Sequence, residues 1–194
     1  RKQVELVKML TSKRPGYLRE AYELGITAQF MPEFDEMMGV EQETPHHIYT
    51  VGEHTLHSLA NIRADKVLRL AMLMHDMGKP AMKNIDEKGI AHFKKHALES
   101  EVIAKDILKR LKFDNDTIHK VTRLVHFHDY RMPVEAENVR RAMHKIGEEL
   151  FPQYIEVRRA DVLAQSLFLR EEKLEDLDGI EKLYQDILEK KECV

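Results

Sequence analysis

Val67-Leu68-Arg69-Leu70-Ala71-Met72-Leu73-Met74-His75-Asp76-Met77-Gly78-Lys79 is the stretch from which the rest of the chain can be read. Its first eight residues are apolar apart from Arg69, on nearly every side of a helix, so the helix belongs inside a core. It delivers His75 and Asp76 at its C-terminal end. An ionised carboxylate is badly placed there for two reasons. Buried charge is costly unless it is paired or holds a metal, and the C-terminal end of a helix dipole repels anions and attracts cations. A divalent cation beside Asp76 removes both difficulties. For the dipeptide alone, a polar pair exposed in a loop is the better reading; its surroundings change that.

Outward from this helix, the periodicity stays helical. Apolar spacing predicts helices over 2–11, 16–24, 31–38, 51–61, 65–75, 92–111, 115–128, 135–147, 152–171 and 174–191, and alternating strand-like runs are nearly absent, which makes the fold all-α. Breaks fall at Pro15-Gly16, Gly39 to Pro45, Gly78-Lys79-Pro80, Asp86 to Gly89 and Met132-Pro133. Asp114 reads as the cap of the helix after it. The expected division is an N-terminal helical appendage (1–45), a helical bundle (46–172), and an amphipathic, acidic C-terminal helix (173–194). That last helix is either a peripheral strut or a contact that another segment completes.

Composition narrows the function. A net charge of −3 argues against non-specific nucleic-acid binding as the main activity. The run of eight Lys and Arg between Lys83 and Lys112 reads as a solvated face, with a phosphate-binding patch as the alternative. There is no apolar run long enough to span a membrane and no signal-peptide pattern. The single Cys193 has no partner, so a reducing, cytoplasmic setting is expected. A chain that begins at Arg1 is expected to be a fragment of a longer protein, with a processed chain as the alternative. Eleven histidines are the anomaly, about twice the usual share.

Two further residues make Asp76 part of a set. His54 sits in the helix opened by Val51-Gly52-Glu53-His54-Thr55-Leu56, upstream of the doublet. Asp161 lies on the stripe Tyr154, Val157, Asp161, Ala164, Phe168, a carboxylate in an apolar face that needs a partner. Ligation is preferred; a salt bridge to Arg158 or Arg159 is the alternative.

The order His54, His75-Asp76, Asp161 resembles the signature of the HD superfamily of metal-dependent phosphohydrolases, over roughly residues 46 to 168. The resemblance implies an all-helical fold in which these four residues hold one metal. Some members hold a second through two further histidines, and the candidates here are His96 and His128, each on an apolar helix face; a hydrogen-bonded core histidine is the competing reading of both. His126, two positions from His128, points elsewhere on a helix. His92, four residues before His96, is an alternative partner for it.

Mixed histidine and carboxylate donors suit one or two ions of Mn²⁺, Fe, Co²⁺, Ni²⁺ or Zn²⁺ better than Mg²⁺. The implied chemistry is attack of metal-activated water on phosphorus. Asp76 is then both ligand and positioner of that water, and Lys79 and Arg131 are candidates to hold phosphate oxygens. For Lys79, an exposed lysine before Pro80 is an equal alternative. His46, His47 and His57 read as surface histidines, with the mouth of the site as the alternative. The expected partner is a phosphorylated small molecule or nucleotide.

A second resemblance runs through Tyr17-Leu18-Arg19-Glu20, Met31-Pro32-Glu33-Phe34 and Thr44-Pro45-His46-His47-Ile48-Tyr49-Thr50-Val51-Gly52-Glu53-His54. These phrases are similar to the C-terminal half of tRNA nucleotidyltransferases of the poly(A) polymerase family, some of which carry an HD domain there. The resemblance implies a tRNA-binding portion with an auxiliary metal site. The nucleotidyltransferase head, with its Gly-Ser turn and Asp-x-Asp pair, is not within these residues; Asp176-Leu177-Asp178 has that spacing but lies in the acidic last helix. The chain alone is therefore not expected to add nucleotides.

Overall fold

A computed structural model describes residues 1–192, with side-chain surroundings through residue 190, and it is all-α. Cys193 lies outside the described residues. The N-terminal part holds α1 (Lys2–Leu10), α2 (Tyr17–Glu23), a 3-10 turn at Thr27–Gln29 and α3 (Pro32–Met38). Then come α4 (Val51–Ala60), α5 (Lys66–Met74), the single turn α6 (Lys79–Met82), α7 (His96–Arg110) and α8 (Asn115–Phe127). The chain closes with α9 (Ala136–Ile146), α10 (Phe151–Leu163) and α11 (Arg170–Glu192).

The axis is α5. Every residue from Leu68 to Met74 is buried, because α1, α4, α7, α8 and α10 all pack around it. Arg69 survives in that setting because its guanidinium donates to the carbonyls of Ile62, Arg63 and Leu10, at 2.9, 3.2 and 2.6 Å. It thereby ties the end of α1 and the α4–α5 loop to the axis. Helix starts are capped as their sequences require: Asp65, Thr50 and Asp114 accept from the backbone N–H of Leu68, Glu53 and Thr117.

One continuous core joins Leu6, Leu10 and Phe34 of the N-terminal helices to Ile180, Tyr184 and Ile187 of α11. The last helix is therefore part of the core rather than a peripheral strut. It packs on α9 and α10.

Two expected helices are shorter than the periodicity indicated. The segment expected to be helical from 92 starts only at His96, because Asn84–Ile85 (β1) and Ala91–His92 (β2) pair as a small antiparallel hairpin. Its turn is held by Asp86, which accepts from the N–H of Lys88 and Ile90, and Gly89 supplies φ +75°. At the other end, α10 stops at Leu163. Ser166 diverts the chain: its N–H donates to the His46 carbonyl at 2.8 Å and its hydroxyl to that of Pro45 at 2.6 Å. Phe168 therefore leaves the stripe that carries Asp161 and lies against the His46 ring, 4.9 Å between centroids. The chain then turns at Leu169, φ +54°, into α11, four residues earlier than expected.

Candidate metal centre

Five helices converge on one point. His54 comes from α4, His75 and Asp76 from the end of α5, His96 from the first turn of α7, His128 from the end of α8, and Asp161 from α10. The approach of α7 depends on Gly78. A Cβ there would lie 2.4 Å from the His96 carbonyl oxygen and 2.6 Å from the Ser100 nitrogen. In place of that methyl group, the Gly78 N–H donates to the buried Ser100 hydroxyl at 2.8 Å.

The backbone sets the histidine tautomers. Nδ1 of His75, His96 and His128 lies 2.6, 2.8 and 2.7 Å from the carbonyl oxygens of Met72, Phe93 and Val125. A carbonyl only accepts, so each Nδ1 carries a proton, and on the neutral ring Nε2 is the atom left free to bind a metal. His54 turns Nδ1 toward the Ala164 carbonyl at 3.3 Å in the same manner. All four Nε2 atoms face inward. Those of His96 and His128 are 3.1 Å apart, and those of His54 and His75 are 3.4 Å apart.

Asp76 sits between these pairs. Its Oδ1 is 3.4 Å from His96 Nε2 and 3.5 Å from His128 Nε2; its Oδ2 is 3.2 Å from His75 Nε2 and 3.7 Å from His54 Nε2. The side chain is buried, yet neither oxygen has a donor in hydrogen-bonding geometry among the described residues. Asp161 Oδ1 lies 2.8 Å from His54 Nε2 and 3.8 Å from His75 Nε2. Arg158 and Arg159 do not pair with Asp161: Arg159 bonds Asp178 and Glu181, and Arg158 donates to the His128 carbonyl.

These facing acceptors test the fit of a cation. Lone pairs 3.1–3.4 Å apart repel one another unless positive charge lies between them. Donors on bonds of about 2.1 Å are about 3.0 Å apart in an octahedron and about 3.4 Å apart in a tetrahedron. The donor set therefore has the spacing of a coordination shell, in two groups, His54–His75–Asp76 and Asp76–His96–His128. A proton on a ring supplies the same charge: burial opposes ionisation of Asp76 and Asp161, but protonated His75 and Lys79 outweigh it at Asp76, and protonated His54 at Asp161. Both carboxyls are held well below their ordinary range.

Around this centre, Lys79 is buried rather than exposed. Its Nζ lies 2.9 Å from Asp76 Oδ2 and donates to Gln42 Oε1 at 2.7 Å. Arg131 lies at the mouth, with Asp129, Arg158 and Gln165. His47 is also there, against the surface reading: its ring stands edge-on to His54 at 4.9 Å. Burial, with the charges of Lys79 and His54, takes its pKa down to about 2. His57 stays outside, stacked on Tyr49. His126 turns away to Glu101, at 2.6 Å, and His92 bonds Asp86 in the hairpin, so neither approaches the centre. Arg158, one turn before Asp161 on the same helix, was weighed only as its salt-bridge partner, and Asp129, which follows His128 directly, was not singled out from sequence. Gln42 and Gln165 carried none.

A family model described as the HD domain matches residues 46–190. The CC-adding tRNA nucleotidyltransferase of Thermus thermophilus is 32% identical over 82% of this chain and 38% of its own length. The A-adding tRNA nucleotidyltransferase of Deinococcus radiodurans is 32% identical over 71% of this chain and 33% of its own length. A bifunctional uridylyltransferase/uridylyl-removing enzyme of Ruegeria pomeroyi is 27% identical over 57% of this chain and 13% of its own. The chain thus spans little more than a third, at most, of the curated relatives it matches. Among the described residues, no helix is long and apolar enough to cross a membrane.

Proposed function

The chain belongs to the HD domain family, and from that premise we propose that it is a metal-dependent phosphohydrolase acting on a nucleotide or an RNA-end phosphate. The observation that carries the reading is the buried Asp76, whose two oxygens face two separate groups of histidine nitrogens, with the Lys79 ammonium beside one of them. We read His54, His75, Asp76 and Asp161 as one ligand set and Asp76, His96 and His128 as a second, weaker one. Bound there, a divalent ion of the Mn, Fe, Co, Ni or Zn type supplies Lewis-acid charge at a phosphoryl oxygen and lowers the pKa of water.

The chain's own residues supply the rest. Asp76 orients the attacking water, and Lys79 neutralises part of its charge. Arg131, at the mouth, takes a phosphate oxygen of the substrate. His47, neutral at pH 7, offers a hydrogen bond rather than a proton. We take 46–172 as the metal-binding segment, preceded in the chain by 1–45 and followed by 173–194.

A second reading has support from the relatives, whose names place them in tRNA nucleotide addition. In it the chain is a tRNA-binding portion with an auxiliary metal site. Salt-sensitive tRNA binding that survives chelation, without phosphoester turnover, would select it.

The test is elemental analysis of the purified chain together with a phosphoester panel. Asp76→Ala is expected to lose all bound metal and all turnover. His96→Ala and His128→Ala each lose one equivalent, and His126→Ala loses none. Full metal content in Asp76→Ala overturns the site. A single equivalent, unchanged in all three histidine variants with excess Mn²⁺, overturns the second position.

A further inference from the structure

Beside the metal centre, and sharing Arg131 and Arg158 with it, lies a cavity of about 250 Å³ roofed by α11. Its wall nearest the centre is cationic. Arg158 is 8% exposed, its Nε has no partner among the described residues, and one Nη donates to the His128 carbonyl at 3.3 Å. Lys173 donates to Gln165 Oε1 at 2.6 Å and to His46 Nδ1 at 3.2 Å, and Gln165 in turn donates to Asp161 Oδ2 at 3.2 Å. Arg131 is exposed at the opening between the two spaces.

Among the described residues, none of these three cations makes an ion pair. Their neighbour Arg159, on the same helix as Arg158, takes two acids of α11. Glu172 and Asp176 line the same cavity, but neither comes within ion-pair distance of the three. A buried guanidinium with an unmet N–H is costly, and two further positive charges beside it add repulsion. Burial, then Arg131, push the Lys173 ammonium below its ordinary pKa. Hydrogen bonds to neutral groups leave that repulsion and the Arg158 Nε–H unmet, and an anion in the cavity answers both. Guanidinium and ammonium groups together suit phosphate oxygens.

We propose that this cavity is a second anion site, in which Arg158, Lys173 and Arg131 hold a phosphate group of the substrate other than the one at the metal centre. The preferred substrate then carries two phosphates. The word substrate rests on the phosphohydrolase reading; the anion site does not.

The first arm of the test compares adenosine 5′-monophosphate with adenosine 3′,5′-bisphosphate as substrates of the metal-loaded chain. Lys173→Gln is expected to raise KM for the bisphosphate about tenfold or more, the loss of one charge-assisted bond, and to leave KM for the monophosphate unchanged. Equal changes for both substrates, or none for either, overturn the proposal. The second arm titrates inorganic pyrophosphate into the metal-stripped chain by calorimetry, since pyrophosphate would itself compete for metal. Wild type is expected to bind, and Arg158→Gln and Lys173→Gln each to weaken binding about tenfold or more. Circular dichroism confirms that each variant is folded, and the half-buried Lys173 serves where the buried Arg158 does not tolerate change. No binding by wild type, or unchanged binding in both variants, overturns the site. Pyrophosphate binding that is lost in the variants, with neither nucleotide turned over, sinks the hydrolase reading while the anion site stands.

Discussion

Substitution of Gly78 by alanine tests whether the close approach of α7 builds the second half of the metal centre. The backbone at Gly78, φ −81° and ψ −13°, is ordinary for any residue, so the effect is one of space alone. The added methyl carbon would meet the His96 carbonyl oxygen at 2.4 Å, the Ser100 nitrogen at 2.6 Å and Glu99 Cβ at 2.8 Å, where ordinary contact begins at 3.4 Å. All three belong to the first turn or so of α7, and two are backbone atoms that no rotamer can move. The start of α7 must therefore retreat by about 1 Å, about five times the ±0.2 Å tolerance of a metal bond. Overpacking of this kind costs about 1–3 kcal/mol, and stretching the buried Gly78–Ser100 hydrogen bond adds about 1 kcal/mol. For a chain of this length the melting temperature should fall by roughly 4–16 °C. His96 moves with α7, whereas His54 and His75 lie on other helices. Thermal melting by circular dichroism and elemental analysis should therefore show a destabilised chain that keeps one equivalent of metal and loses the other. A variant that melts within 2 °C of wild type with both equivalents bound would refute the reasoning.

Two further outcomes follow from the same structure. Chelation should lower the melting temperature of wild type, because the facing nitrogens and carboxylates lose the charge between them; Asp161→Asn should bind metal less tightly and shrink that chelator-induced shift, and an unchanged shift would argue that Asp161 serves only His54. The paired Arg19 and Glu53 fasten α2 to the start of α4, and the Arg19 hydrogen bond holds the Glu53 carboxyl below its ordinary value. Their contribution is therefore complete above the unfolded pKa of about 4.3 and is lost as pH falls through the lower folded value. Glu53→Gln should flatten the stability-versus-pH curve there and cost under about 1 kcal/mol at pH 7, given solvent screening; identical curves for mutant and wild type from pH 3 to 7 would refute it.

Much of the centre was legible along the chain because it is local to helices. The apolar character of 67–74, broken only by Arg69, placed α5 at the axis, and with it the position of His75 and Asp76 at the axis's end. Spacing of three and four put Asp161 on the buried stripe with Tyr154 and Val157, and the diverging directions of residues two apart separated His128 from His126. Helical period settles which residues share a face, since it depends only on backbone geometry.

It says nothing of which faces meet. That His96 and His128 approach to 3.1 Å was decided by α7 docking on Gly78, a glycine whose requirement is space rather than conformation. Segments without a period held the other surprises. His47 and Gln42 lie in the non-helical stretch before α4, and Gln165 in the loop after α10; Ser166 anchors that loop to the carbonyls of Pro45 and His46 and so brings the two segments to the mouth together. Lys173 belongs to the amphipathic, acidic last helix, and it reaches the cavity only because α11 folds back over α10. The hairpin at 84–92 shortened an expected helix at its start because two short segments found each other across Gly89, a pairing that the helical pattern beginning in one of them concealed. Sequence determined the all-α fold, the axis and the residues fit to hold a cation; the packing of helix on helix decided which of them meet, and what lines the space beside them.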